Sequence, residues 1–245
     1  MTEKIKLFTP QGMYQVTGRW ITPLLAVSAL LILAALYVGF VMAPVDATQG
    51  NSYRILYAHV ACAWMAMLMY VVMACYCAAG LVTGNRLWPM VASSLAPTGA
   101  LMAFLALWSG SLWGRPTWGA YWVWDARLTS ALILFFFYLG FIALENAIAD
   151  WRRADKACAV IGIVGVINVP IVYFSVQWWN TLHQGASITG SGASIHPVML
   201  TALILMVLGF WVFCFAATFA RLRSIILERD KGEEWAQQLA LKGEL

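Results

Sequence analysis

The 245-residue chain is 62% hydrophobic and only 11% charged, less than half the roughly 25% charge of an ordinary soluble domain. Several apolar runs exceed the roughly 18 to 20 residues that cross a bilayer. The expected fold is therefore an all-α integral membrane protein, because isolated strands would leave backbone groups unpaired in lipid. The formal net charge of +4 says little by itself, and no nucleic-acid partner is expected. Five cysteines lie within the apolar runs without a CxxC or CxxCH motif, which excludes a thioredoxin-like dithiol.

Six spans are predicted, about 21–42, 53–83, 89–112, 128–149, 157–179 and 197–220, joined by short connections into a single membrane domain over 1–245. The second opens on NSYRILYAHV, with Arg54 at its mouth and His59 about 9 Å below Tyr53 at 1.5 Å per residue. A histidine inside a span is costly unless it has a task. His59 reads either as a metal ligand or as a hydrogen-bonded packing residue.

The third span runs into WGRPTWGAYWVWDARLTS (113–130), where Trp113, Trp118, Trp122 and Trp124 precede Asp125 and Arg127. Pro116 is expected to break the chain after the span. If 117–126 is helical, Trp118, Trp122 and Asp125 fall at i, i+4 and i+7 on one face, an aromatic shelf edged by a carboxylate. Gly114 and Gly119 would leave room beside it for a flat ligand. The fifth span leads through QWWNTLHQG to His183, which carries the same two readings as His59. His196, just before Pro197, reads as a local cap or loop residue. Residues 221–245 form a charged, partly helical tail.

Twelve basic residues (Lys4, Lys6, Arg19, Arg86, Arg152, Arg153, Lys156, Arg221, Arg223, Arg229, Lys231 and Lys242) fall on one side of these spans, and Arg54, Arg115 and Arg127 on the other. The positive-inside rule then sets both termini in the cytoplasm. The 43–52, 113–127 and 180–196 segments, the tryptophan-rich loop among them, lie outside. All three histidines are on that outer side.

Tryptophans at membrane interfaces are ordinary anchors, which accounts for Trp20, Trp88, Trp151, Trp178 and Trp179. Four in one short connection exceed what an anchor needs and suit a planar apolar ligand, although a sugar or lipid headgroup also stacks on indoles. Two neutral imidazoles without a thiolate suit a haem iron, whereas zinc wants three or four protein ligands. Arginine binds carboxylates such as haem propionates through paired donors. Arg54, Arg115 and Arg127 are alternatively snorkelling charges or partners of Asp46 and Asp125.

GNSYRILYAHV (50–60), WGRPTWGAYWVWDARLTS, NVPIVYFSVQWWNTLHQG (168–185) and the six spans together resemble the CcmC family, within the WWD-motif superfamily of haem-handling membrane proteins. The resemblance covers most of the chain. It implies that His59 and His183 are the axial ligands of a non-covalently held haem b. It also implies that Trp113, Trp118, Trp122 and Trp124 form its platform on a periplasmic loop at the bacterial inner membrane, with Asp125, Arg54 and Arg127 among the haem-binding residues. His196 matches no family motif. The implied activity is haem presentation at the outer face and loading of the haem chaperone CcmE, in a complex with CcmA, CcmB and CcmD, for c-type cytochrome biogenesis. No Walker motif occurs, so the chain is not expected to be an enzyme, and ATP hydrolysis would belong to partners. The competing expectations are a haem-conducting transporter subunit and a structural anchor without a haem site.

Overall fold

The computed structural model describes residues 8–185, 188–189 and 192–242. Lys4, Lys6 and part of the 180–196 segment lie outside these. Helix α1 (Pro10–Tyr37) continues through a π-helical turn over Val38–Met42. A 3₁₀ turn over Asn51–Ile55 leads into α2 (Leu56–Thr83), followed by α3 (Leu87–Trp118) and α4 (Ala126–Ala147). The fifth span is two helices, α5 (Trp151–Gly165) and α6 (Asn168–Trp178). A small antiparallel hairpin, β1 (Ile188–Thr189) and β2 (Gly192–Ala193), precedes α7 (Pro197–Arg229) and the short α8 (Glu234–Lys242). Six of these segments are long and apolar enough to cross a membrane. The chain is an all-α membrane protein.

The boundaries follow local chemistry. Thr9 caps α1 by accepting from Gly12 N at 3.2 Å, with Pro10 at the first helical position. Asp150 does the same for α5, accepting from Arg153 N at 2.8 Å. Gly84 (φ 67°) and Gly119 (φ 80°) stop α2 and α3 in the left-handed conformation that glycine adopts without strain. The fifth span breaks just ahead of Pro170, whose ring opposes the carbonyl four residues back, at Val166.

Contrary to expectation, α3 does not break at Pro116. A proline there removes only one backbone donor, the Thr117 hydroxyl bonds the Trp113 carbonyl at 2.8 Å, and Gly119 ends the helix instead. Helices α1 and α7 also overrun their predicted spans, the first starting at Pro10 and the last running to Arg229. Their polar turns continue the helix beyond the apolar stretch.

α3 is the most enclosed span, packed along α2 and flanked by α4, while α1 packs along α7. At mid-depth Tyr138 is fully buried, and its hydroxyl donates to the Ala66 carbonyl at 2.7 Å. That bond satisfies a phenol that would otherwise be stranded in an apolar interior. Gly99 makes this possible, since a Cβ there would overlap the Tyr138 ring.

Because successive spans alternate in direction, the start of α2, the end of α3, the start of α4 and the end of α6 meet at one end of the bundle. The ion pairs among the described residues lie at the other end. There Arg229, with its side chain only 6% exposed, binds Asp155 at 2.9 Å and Glu145 at 3.3 Å, and Arg86 binds Asp230 at 3.1 Å. These pairs tie α7 to α4 and α5 and to the α2–α3 turn.

Candidate functional site

A cavity of about 90 Å³ lies at the end where those four helix termini meet. His59 and His183 line it together, from α2 and from the connection after α6, although 124 positions separate them in the chain. Their ring centres are 6.0 Å apart. Two metal–imidazole bonds of about 2.0–2.1 Å laid end to end would hold the two nitrogens about 4 Å apart and the ring centres roughly 6 Å apart.

Each imidazole is fixed through its Nδ1. His59 Nδ1 sits 3.0 Å from the Ala106 carbonyl and 3.2 Å from Ser109 Oγ, and His183 Nδ1 sits 2.7 Å from the Gln184 carbonyl. A backbone carbonyl at Nδ1 selects the tautomer that leaves Nε2 as the electron-pair donor. Burial, with the Arg127 guanidinium next in effect, holds His183 below its ordinary value, which favours the neutral form with a lone pair free to bind a metal. The Gly110 position is part of this seat. A Cβ there would lie 2.9 Å from His59 Cε1 and 3.3 Å from Nδ1.

An indole stands beside each imidazole. Trp113 meets His59 edge to face at 5.7 Å, and Trp118 lies 6.1 Å from His183. Trp113 is 7% exposed, and its Nε1–H donates to Gln49 Oε1 at 2.8 Å. Gln49 Nε2 donates in turn to Gln184 Oε1 at 3.0 Å. A continuous chain of contacts therefore runs from Trp113 through Gln49 and Gln184 to His183. Asp46 anchors it by accepting from Gln49 N at 2.8 Å and Thr48 N at 3.0 Å, bonds that hold its carboxyl below the usual range.

The remaining predicted residues separate. Residues 120–125 are not helical, so Trp118, Trp122 and Asp125 do not share one helix face. The left-handed Gly119 turns the chain before the i+4 position is reached. Trp122 and Trp124 pack against each other at 5.4 Å outside the cavity lining, with Trp124 77% exposed. Asp125 is the N-cap of α4, its Oδ1 accepting from Leu128 N at 2.8 Å. Its Oδ2 and the Trp122 Nε1 are buried without a hydrogen-bond partner among the described residues. Gly114 gives room to Trp118 and the Ala120 carbonyl rather than to open space.

The outer arginines also divide. Arg127 lines the cavity and donates to the Val172 carbonyl at 2.9 Å. Arg54 is instead committed to the end of the first span. It donates to the Gly39 and Ala43 carbonyls and, through Nε, to Asn51 Oδ1 at 3.1 Å. One lies in the π-helical turn and the other on the residue that ends it, where helix termini leave carbonyls short of backbone donors. Arg54 therefore does not reach the site as expected. Arg115 donates to the Gly119 carbonyl. His196 caps α7 by accepting from Val198 N at 3.3 Å, as its position before Pro197 predicts.

Gln49, Ser109, Gly110 and Gln184 are absent from the residues the sequence singles out. A glutamine or glycine near a span end carries no periodic signal, and their contacts reach across 50 to 135 positions.

Among the described residues no cluster of three or more His, Cys, Asp and Glu could hold a bare metal ion. The site offers two imidazoles, one guanidinium and two indoles. That donor set suits a metal already held by an equatorial ring. The fold and the site thus define a six-span membrane protein with a paired-imidazole seat at one end. The family model for haem exporter protein C matches residues 4–237. Haem exporter protein C of Escherichia coli (strain K12) is 43% identical over 238 residues, 97% of this chain and 96% of that protein. The Haemophilus influenzae protein of the same name is 43% identical, covering 94% of each chain. A ccmC-like mitochondrial protein of cytochrome c biosynthesis from Marchantia polymorpha is 42% identical over 79% of this chain and 82% of its own. The chain belongs to the haem exporter protein C (CcmC) family.

Proposed function

We propose that this protein binds haem b non-covalently at the periplasmic face of the bacterial inner membrane and delivers it to the chaperone CcmE, in a complex with CcmA, CcmB and CcmD. The observation that carries this reading is the pair of Nδ1-fixed imidazoles with ring centres 6.0 Å apart. Haem is cargo here, so the chain needs no bond-making residue, and its work is to bind, orient and release. His59 and His183 hold the iron axially, Arg127 faces a propionate, and Trp113 and Trp118 flank the macrocycle. The twelve-to-three distribution of basic residues supports cytoplasmic termini and an outer 113–127 loop.

The 90 Å³ cavity is far below the roughly 300–1,000 Å³ of ordinary ligand pockets. Most of the porphyrin must therefore lie outside it, entering laterally as the cleft widens. That exposed edge is what a chaperone can reach, and Trp122 and Trp124 stand on the loop beside it. The buried, unpartnered Trp122 Nε1 and Asp125 Oδ2 supply polar contacts for the joint complex. The test is capture of haem-loaded, tagged CcmE from membranes at matched expression. Trp118→Ala with Trp122→Ala should keep part of its haem through the histidines yet fail to retain the chaperone. Capture equal to wild type would reduce the loop to an interfacial anchor.

A further inference from the structure

We propose a second binding site, for the phosphate headgroup of an anionic phospholipid, at the end of the bundle opposite the imidazoles. A cavity of about 490 Å³ opens there between the first turns of α1, the last turns of α7 and α8, within the roughly 300–1,000 Å³ of ligand pockets. Arg19, Arg223 and Lys242 line it with the amides of Gln11, Gln15 and Gln238. No acidic residue lines it among the described residues. Asp230 pairs with Arg86, and Asp155 and Glu145 pair with Arg229. None of the three cavity cations forms an ion pair with a described residue. Guanidinium and ammonium groups only donate hydrogen bonds. Three of them around one space, uncompensated, call for an anion with several acceptor oxygens.

The seat is built rather than accidental. The Arg223 guanidinium stacks 3.6 Å from the centre of the Tyr14 ring and donates through Nη1 to the Tyr14 carbonyl. It crosses α1 at Gly18, where a Cβ would overlap it. Tyr14 packs in turn on Trp235 of α8, ring centres 5.5 Å apart. No other hydrogen bond of Arg223 is made to a described residue, so its remaining donors are open to a ligand.

The depth of the cavity selects lipid over a soluble anion. Arg19 lies 5.9 Å from the ring of its exposed neighbour Trp20, the side chain that marks a membrane interface. Immediately beyond, α1 exposes Leu25, Val27 and Leu30. A headgroup in the cavity would leave its acyl chains along a surface that is already apolar. Basic pockets between helices at the cytoplasmic end are the form that anionic headgroup sites take.

The test uses full-length protein, delipidated in a neutral detergent and titrated with phosphatidylglycerol or phosphatidylcholine in mixed micelles, with bound lipid counted by native mass spectrometry. Phosphatidylglycerol should be retained and phosphatidylcholine should not. Arg19→Gln and Lys242→Gln, whose side chains hydrogen-bond no described residue, should each weaken retention about five-fold, and more together. Arg223→Gln also removes the contact with Tyr14, so the other two variants decide. Equal retention of the two lipids, or wild-type retention in the Arg19→Gln/Lys242→Gln double variant, overturns the site. Complete displacement of phosphatidylglycerol by millimolar inorganic phosphate would assign the pocket to a soluble anion and overturn the lipid assignment.

Discussion

Gly110→Ala adds one methyl group and probes the seat of His59 without changing either imidazole. The new Cβ would stand 2.9 Å from His59 Cε1 and 3.3 Å from Nδ1. Ordinary carbon contacts begin near 3.5 Å, so the ring must retreat by about half an ångström. It cannot do so and keep both Nδ1 contacts, because the Ala106 carbonyl and Ser109 Oγ lie on the same helix within one turn of Gly110. Metal-ligand distances hold to about ±0.2 Å, and losing a group that orients a ligating histidine costs about 10–100-fold in metal affinity. A loss of haem affinity in that range is expected for Gly110→Ala, and a larger one for Gly110→Val. Misfolding does not explain it, since alanine is favoured over glycine inside a helix by about 1 kcal/mol. The assay is a Soret titration of detergent-purified protein, paired with a thermal melt. In a His59→Ala background the same substitution should have no further effect, which closes a double-mutant cycle. Wild-type haem affinity in Gly110→Ala would refute the role given to this seat.

Two further outcomes are expected. Protonated imidazole cannot bind iron, and the folded protein holds His183 below the ordinary value of about 6.5 through burial and Arg127. Proton uptake at this ring is therefore delayed, and haem retention should stay level from pH 8 to about 6.5 and fall only below that. Arg127→Gln should move the midpoint upward, and a wild-type Soret midpoint above 6.5 contradicts the assignment. Asp125→Ala should lower stability by about 1 kcal/mol through loss of the α4 cap, whereas Asp125→Asn, which keeps a capping oxygen, should melt close to wild type; equal losses in the two would refute the capping role.

What the sequence makes legible here is whatever repeats or punctuates. Six apolar stretches separated by charged or glycine-bearing turns fix the number of spans, and the counts of basic residues fix an expected orientation. Isolated histidines in an apolar chain stand out because burying an imidazole is costly, so His59 and His183 are visible as candidates. Their meeting is not, since no local pattern encodes a contact across 124 positions. The tryptophan loop misleads at one point. Spacing of four and seven implies a shared helical face, yet Gly119 reverses the backbone and sends Trp122 and Trp124 elsewhere. Arg54 misleads for a different reason. A charged side chain near the mouth of a span has two electrostatic outlets, a ligand or bare carbonyls, and the Gly39 and Ala43 carbonyls at the end of the first span supply the second. Gln49 and Gly110 carry no sequence signal, because their roles exist only in the packed structure.

In the proposed site two imidazoles hold one haem iron. The visible spectrum of detergent-purified protein tests it directly, in wild type, His59→Ala, His183→Ala and His196→Ala, with and without added imidazole. Wild type should carry haem with a defined Soret and α/β pattern. Each of the first two variants should lose haem and shift those bands, and free imidazole should partly restore them by filling the vacated axial position. His196→Ala, altered only at the α7 cap, should match wild type. Unchanged spectra in both His59→Ala and His183→Ala would contradict the claim.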